Sequence, residues 1–235
     1  MYVSFDHSQP VTDDIQTFYF MPPHSIRYTA GQFIELTLPH DDPDERGIKR
    51  WFTLSSSPTE ELLSITTRFT SGRTSTFKHA LQSLKHGQQM HMSDPMGDFV
   101  LPKDKARQLV FVAAGMGITP MRSMVKWLQD NQERRDIQLL YAAQKPEDLA
   151  FVYLFKTYGL SPKLLVSQPD VSWQNGVGRL TAEEILEFAA NDGQKLYFIS
   201  GPEPMIETLF KDLQDHGIKR SQLVTDYFPG YEVIA

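Results

Sequence analysis

The second half of the chain alternates short apolar runs with longer helical stretches, and this alternation restricts the fold more than any other feature of the sequence. Short apolar runs bounded by turn residues are typical of buried parallel strands. Their alternation with helices predicts βαβ units and an open parallel sheet with helices on its faces. The predicted strands are 108–113, 137–142, 163–167 and 195–200, and the predicted helices are 120–131, 147–158, 181–190 and 203–216.

The first hundred residues have a different pattern. Residues 31–39 alternate apolar and polar side chains, and 62–69 are rich in β-branched residues, so both segments predict strands. Turn-forming residues at 40–47 and 55–59 separate these segments. We therefore expect two domains, an antiparallel β-barrel over residues 1–102 followed by an α/β domain with an open parallel sheet over 103–235.

Charge and composition exclude several functions. The 23 Lys and Arg residues are outnumbered by 29 Asp and Glu, and this balance argues against a nucleic-acid footprint. Without cysteine the chain has no disulfide, thiolate zinc site or cysteine-bound iron–sulfur cluster. No secretory signal and no apolar run long enough to cross a bilayer are visible, so we expect a soluble, cytoplasmic protein. His86, His91 and Met92 could suggest a metal site, but scattered surface histidines are the prediction.

Arg50, Trp51, Phe52 and Thr53 follow the turn at 40–47. On a strand, Arg50 and Phe52 project from the same face, where a guanidinium beside a ring suits a ligand with a phosphate and a flat ring. Thr53 would then contact an edge of that ring. The alternative is a strand with an extended Arg and a core Phe.

Two further segments carry hydroxyl groups or glycines next to turns. Gly72 and Ser75 precede a predicted helix at 77–84, which indicates either simple capping or an anion site. Residues 93–99 predict a turn that leads into a further strand.

Gly115, Gly117 and Thr119 follow the first strand of the second half and open a helix at Pro120. A pyrophosphate binds at this position in open α/β sheets. The usual dinucleotide fingerprint is incomplete, because Pro120 occupies its third glycine position and no acid follows the second strand. A phosphate-binding turn is still the prediction.

A second strand of this half also ends in a glycine-containing turn. Gly201, Pro202 and Met205 follow the strand at 195–200, so the two strand ends could border one crevice. A plain strand-to-helix turn with Pro near the helix start is the alternative.

In combination and in order, these segments resemble the ferredoxin–NADP reductase family, flavoproteins with a flavin barrel and a nicotinamide-binding domain. The family's Arg-x-Tyr-Ser signature is similar to residues 50–53, its Gly-x-x-Ser element to 72–75 and its Gly-x-Gly-Ile-[Ala/Thr]-Pro element to 115–120. Residues 93–101, 201–205 and 226–231 resemble its barrel-closing, last-helix and C-terminal segments.

The resemblance implies a role for each residue in the barrel. Arg50 would pair with the flavin phosphate, Phe52 would stack on the isoalloxazine, and Thr53 would hydrogen-bond near the reactive nitrogen, with Trp51 inside the same signature. Gly72 and Ser75 would bind the flavin pyrophosphate, which favours FAD over FMN.

The second domain would hold NAD(P)H. Gly115, Gly117 and Thr119 would cradle the dinucleotide, and Gly201, Pro202 and Met205 would close its crevice. Phe228 would cover a flavin face or the adenine. Ser200 stands where many members have Cys, and Thr53 and Ser200 are the predicted catalytic residues. Gln168 replaces the Arg of many NADP-specific members, so the preference between NADH and NADPH stays open.

The implied function is that of a flavin-dependent oxidoreductase. Electrons would pass from NAD(P)H through bound FAD to a one-electron carrier, ferredoxin or flavodoxin, on another molecule. Two alternatives stay open at this point. One is a reductase that uses flavin as a substrate, and the other is an electron-transfer subunit that is active only within a complex.

Overall fold

The computed structural model describes residues 1–69, 74–190 and 194–228, and for Tyr227 and Phe228 only the backbone. Within these ranges the chain forms two six-stranded sheets. The first is antiparallel, with strand order β4-β3-β6-β1-β2-β5. Its strands are β1 Tyr2–Pro10, β2 Ile15–Met21, β3 Phe33–Thr37, β4 Lys49–Thr53, β5 Leu63–Arg68 and β6 Gln89–Met92, and helix α1 (Thr76–Gln82) follows β5.

The first sheet closes into a barrel. Its edge strands β4 and β5 meet where the Ser55 amide donates to the Ser64 carbonyl at 2.8 Å. A row of buried hydroxyls lines this seam, joining Thr17 to Thr66 at 2.8 Å, Thr66 to Ser55 at 2.9 Å and Ser55 to Ser64 at 2.9 Å. Because each hydroxyl has one proton and Thr66 donates to Ser55, Thr17 must donate to Thr66. The barrel thus closes through hydrogen bonds on both the backbone and the side chains.

The second sheet is parallel throughout, with strand order β10-β9-β8-β7-β11-β12. Helices cover both faces, as the alternating sequence pattern predicts: α2 and α3 pack in one apolar cluster, and α4 and α5 in another. Its elements are β7 Leu109–Ala114, α2 Thr119–Asp130, β8 Ile137–Ala143, α3 Val152–Tyr158, β9 Lys163–Val166, β10 Gly176–Val177, α4 Ala182–Ala189, β11 Leu196–Pro202, α5 Glu203–Asp215 and β12 Leu223–Phe228.

The expected fold class, an antiparallel barrel followed by an open parallel sheet, is confirmed. The helix predicted at 147–158 begins only at Val152, however. The buried Tyr141 hydroxyl binds the Ala150 amide at 3.1 Å, and Phe151 has a φ of +62°, so the chain turns before the helix starts. The strand expected after 93–99 is also wrong: the segment has only an isolated bridge from Met96 to Phe33.

The two sheets share part of their core. Ile15, Ala30 and Phe99 from the first hundred residues pack in the same apolar cluster as Met121 and Met124 of α2. Gly31, at φ +101°, allows this close packing, because an added Cβ would lie 2.1 Å from the Phe99 carbonyl oxygen and 2.5 Å from the Met124 methyl. The contact between the sheets is therefore part of the hydrophobic core.

Polar contacts fix the same junction. Arg122 of α2 forms a bidentate ion pair with Glu60 and also donates a hydrogen bond to the Ser55 carbonyl at 2.8 Å. Arg68 of β5 pairs with the nearly buried Asp148 at 3.2 Å. In the described part of the chain, no helix is both long enough and apolar enough to span a membrane.

Candidate active site

A cleft of about 350 Å³ lies between the barrel and the outer strand of the parallel sheet. Phe33 and Gly97 line it from the barrel side, and Thr225 and Asp226 of β12 line it from the other side. On the side of the parallel sheet its lining runs from Arg220, which precedes β12, to Asp226 within that strand. The location therefore agrees with a site between the domains.

The predicted phosphate-binding turn forms a 3₁₀ turn, Gly115–Ile118, between β7 and α2. Gly115 has a φ of +52°, and a Cβ there would meet open space. At Gly117 a Cβ would lie 2.0 Å from the Ser200 carbonyl oxygen, so only glycine lets the turn pack against β11. The Thr119 hydroxyl donates to the Met116 carbonyl at 2.9 Å and holds the turn in shape.

The end of β11 packs against the same turn. A Cβ on Gly201 would lie 3.0 Å from the Ala114 Cβ and 2.8 Å from the Met205 methyl. Pro202 is the residue that precedes α5, and it pairs with Phe228 of β12 through the backbone. The structure therefore brings together the two glycine-containing strand ends that the sequence indicated separately.

Three buried side-chain oxygens lack hydrogen-bond partners within the protein, namely Thr53 Oγ1, Ser200 Oγ and Asp226 Oδ2, and of these residues Asp226 lines the cleft. Thr53 ends β4 opposite Phe33, and Ser200 lies opposite Asp226 on the paired strands β11 and β12. Buried polar atoms normally have partners, so such a group indicates a site that a ligand completes. Both predicted catalytic residues are among these three.

Asp226 has an unusual environment for a carboxyl group. It is only 8% exposed, and burial raises its pKa to about 7, although the neighbouring Ser200 hydroxyl acts in the opposite direction. Neither Ser200 Oγ nor Asp226 Oδ2 makes a hydrogen bond of good geometry. A carboxyl group with this pKa can hold or release a proton near neutral pH.

The residues of the Arg-x-Tyr-Ser-like segment divide between two faces of β4. Phe52 lies in the barrel core, 6% exposed, with its ring 6.0 Å from that of Phe77. Trp51 faces outward, 48% exposed, and stacks on Phe33 at 5.2 Å. Arg50 shares the Phe52 face, as predicted, and its guanidinium lies 5.1 Å from the Phe77 ring centre. The outward ring next to the cleft is thus Trp51, while Phe52 packs inside.

The other predicted residues are placed as follows. Ser75 caps α1 by accepting from the Lys78 amide at 3.3 Å, which is the capping role that its position suggested. Gly72 lies outside the described residues, and of Phe228 only the backbone is described. The site roles of all these residues stay predictions.

Sequence reasoning gave no role to Asp226 or Phe33. The signal for Asp226 was a single carboxylate within the otherwise uncharged segment 223–228. For Phe33 no signal existed, because its position at the cleft depends on how the two sheets pack.

Comparison with known proteins extends these observations. Residues 111–211 match the family model described as oxidoreductase NAD-binding domain. The chain is 30% identical over 230 residues to the glycine betaine monooxygenase reductase subunit of Pseudomonas aeruginosa, a match that covers 92% of this chain and 61% of that protein. It is 26% identical over 215 residues to NADH oxidoreductase HCR of Escherichia coli, covering 91% of this chain and 64% of that protein.

The fold has a full-length structural counterpart. A ferredoxin NADP+ reductase from Neisseria gonorrhoeae, solved with bound FAD and NADP, superimposes with a TM-score of 0.78. The two are 18% identical, and the match covers 97% of this chain and 98% of that chain. The reductase relatives named above are longer, and the match spans less than two thirds of each of them.

A barrel packed on a parallel sheet, with a glycine turn at the junction, is the fold that this chain shares with a solved two-domain reductase. Residues 111–211 match the oxidoreductase NAD-binding domain, and over more than nine tenths of its length the chain is similar to reductases of the ferredoxin–NADP reductase-like type.

Proposed function

We propose that this chain is an FAD-dependent NAD(P)H oxidoreductase module that moves electrons between the nicotinamide nucleotide and a one-electron acceptor on another molecule. The observation that carries the proposal is the group of unpartnered buried oxygens at Thr53, Ser200 and Asp226. They lie on both sides of the junction between the sheets, where a ring held by the barrel would face a ring held by the parallel sheet.

The residues present fit a flavin and a dinucleotide. When bound, the flavin would supply the chemistry of accepting a hydride and releasing single electrons. Thr53 Oγ1 supplies a hydroxyl at the end of β4 that can hydrogen-bond to a ring edge. At Gly115 a Cβ would meet open space, so the backbone of this turn, at the start of α2, is open to a phosphate, while Gly117 and Gly201 let the turn pack against β11. The chain's own contribution is to position two rings and exclude water.

In this proposal Asp226 and Ser200 hold and transfer a proton at the junction between the sheets. With a pKa of about 7, the Asp226 carboxyl can hold a proton at the junction and exchange it with the Ser200 hydroxyl on the paired strand. Thr53 and Ser200 therefore keep their proposed catalytic roles, and Asp226 joins them.

The acceptor we propose is a protein carrier such as ferredoxin or flavodoxin, since relatives of this chain are named as reductase subunits of oxygenases. Such electron-transfer contacts are small and transient. A cytoplasmic location and the domain division at residues 102 and 103 stay predictions.

The test is anaerobic mixing of the FAD-loaded chain with NADH and, in parallel, NADPH, followed by flavin absorbance. We expect bleaching of the flavin band with one or both nucleotides. Thr53→Val keeps the shape of the side chain and removes Oγ1, so it should slow bleaching about 10-fold or more. The control is Thr37→Val on β3, which changes a Thr of the same barrel sheet.

Three outcomes would count against the proposal. If the folded chain binds neither FAD nor FMN at micromolar concentrations, it is wrong. Flavin that is reduced but lost on gel filtration would favour the reductase that uses flavin as a substrate. Flavin that stays bound but is not reduced by either nucleotide would favour the subunit that works only within a complex.

A further inference from the structure

The contacts of Arg50 are made largely within its own loop. Its Nη1 donates to the carbonyls of Arg46 at 2.7 Å, Gly47 at 2.9 Å and Lys49 at 2.7 Å. Its Nη2 donates to Asp44 Oδ1 at 2.9 Å, and the side chain is only 11% exposed. The guanidinium is thus held by the segment 44–49 and paired with a carboxylate of the chain itself.

Asp44 is held firmly in this pair. Besides Arg50, its carboxylate accepts from the Arg46 amide at 3.1 Å and from the Thr76 amide at 3.3 Å. Burial acts to raise the pKa of Asp44, but Arg50 and these hydrogen bonds outweigh it and hold the pKa below its usual value. Asp44 is therefore an anion at neutral pH, and it lies against the guanidinium.

Further cations lie close to Arg50. Lys78 donates to the Arg68 carbonyl at 2.5 Å, and burial together with the charges of Arg46, Arg68 and Arg50 lowers its pKa to about 8. Arg68 has its own counter-ion in Asp148. Lys78 and Arg46 thus add positive charge close to Arg50, and this charge favours a phosphate, which carries up to about two negative charges.

We propose that Asp44 competes with the phosphate of a flavin for Arg50, so that a phosphate-bearing flavin binds by displacing the Asp44 carboxylate. This inference rests on the proposed function, because it assumes that Arg50 meets the flavin phosphate. A carboxylate and a phosphate on the same guanidinium repel each other, and separating Asp44 from Arg50 opposes binding. Asp44 is therefore a specificity-determining residue that limits how much affinity the phosphate adds.

Riboflavin and FMN provide a matched pair of ligands, because they differ by one phosphate. If Asp44 competes, the wild-type chain gains little affinity from that phosphate. Asp44→Asn keeps Oδ1 as an acceptor for Arg50 and the Arg46 amide but removes the negative charge. This substitution should lower the dissociation constant of FMN about 10-fold, which corresponds to about 1.4 kcal/mol of binding free energy, and should leave the dissociation constant of riboflavin unchanged.

The dissociation constants of both flavins are measured by quenching of flavin fluorescence, which needs no turnover. The control is Asp42→Asn, which removes a negative charge from an exposed position in the same loop, outside the Arg50 hydrogen bonds. A second readout is melting temperature. Asp44→Asn should lower it without ligand, since the ion pair is lost, and should increase the rise that FMN produces.

The same measurement in an Arg50→Gln background completes a double-mutant cycle. In that background Asp44→Asn should not increase the affinity for FMN. The Asp44 proposal alone is overturned if the chain binds riboflavin and FMN but Asp44→Asn leaves FMN affinity unchanged or weakens it. An equal gain from Asp42→Asn would also overturn it, because the effect would then be one of general charge. If neither flavin binds to any variant, the proposed function falls as well.

Discussion

Replacement of Asp226 by Asn should make the stability of the protein less dependent on pH. In the folded chain the Asp226 pKa is about 7, whereas a carboxyl of an unfolded chain titrates near about 4. Between these values the folded carboxyl keeps a proton that the unfolded one has lost, so the free energy of unfolding falls as the pH rises through this window. Above about pH 7 both states are ionised, and the full loss is present.

The structure sets the size of this effect. A pKa difference of this kind corresponds to roughly 4 kcal/mol of lost stability above the folded pKa. Asp226→Asn removes the cost of ionising a buried carboxyl. At about pH 8 the variant should therefore be more stable than the wild type by about 2–4 kcal/mol, whereas at about pH 4 the two should differ little. Urea unfolding of both proteins over a pH series measures the difference.

Two further variants test the cause. Ser200→Ala removes the hydroxyl that lowers the Asp226 pKa, so the upper end of the pH range over which stability falls should move upward. Asp170→Asn is the control, because hydrogen bonds from Ser172 hold the pKa of this exposed carboxyl below its usual value, and its loss should give no gain at high pH. If the free energies of unfolding of Asp226→Asn and the wild type differ by the same amount at every pH, Asp226 is not a buried acid of raised pKa.

Two other changes probe the junction between the sheets. Gly117→Ala should lower the free energy of unfolding by about 3 kcal/mol, because its Cβ would meet the rigid Ser200 backbone, whereas Gly115→Ala should cost about 1 kcal/mol from its positive φ alone. Equal losses in urea unfolding would contradict this steric argument. Glu60→Gln should cost about 1–3 kcal/mol, since it leaves the partly buried Arg122 without its ion pair. A thermal midpoint within error of the wild type would show that the pair adds nothing.

The sequence predicted the parallel sheet well because its strands are buried on both faces and therefore form continuous apolar runs. It failed where tertiary contacts override local preference. The start of α3 moved to Val152 because the hydroxyl of Tyr141, on the preceding strand β8, accepts a hydrogen bond from the Ala150 amide. The segment after Met96 runs outside the sheet because it packs between the barrel and the second domain, a position that no local pattern encodes.

The site was predictable in part for a related reason. Glycines at strand ends are visible in the sequence, because only they permit close backbone approach. The partner of Arg50 was not visible, since three aspartates occupy the turn at 40–47 and only the folded loop selects Asp44. The outward position of Trp51 and the inward position of Phe52 likewise depend on the pairing of β4 with β3.

The apolar cluster shared by Phe99, Ala30 and Met124 has a consequence for any attempt to separate the halves of this protein. Cutting the chain at Pro102 would expose the α2 face that Phe99 now covers. Each fragment would then have an exposed hydrophobic surface that favours self-association. Both halves should therefore melt in one cooperative transition, and a fragment beginning at Lys103 should aggregate when expressed without the barrel.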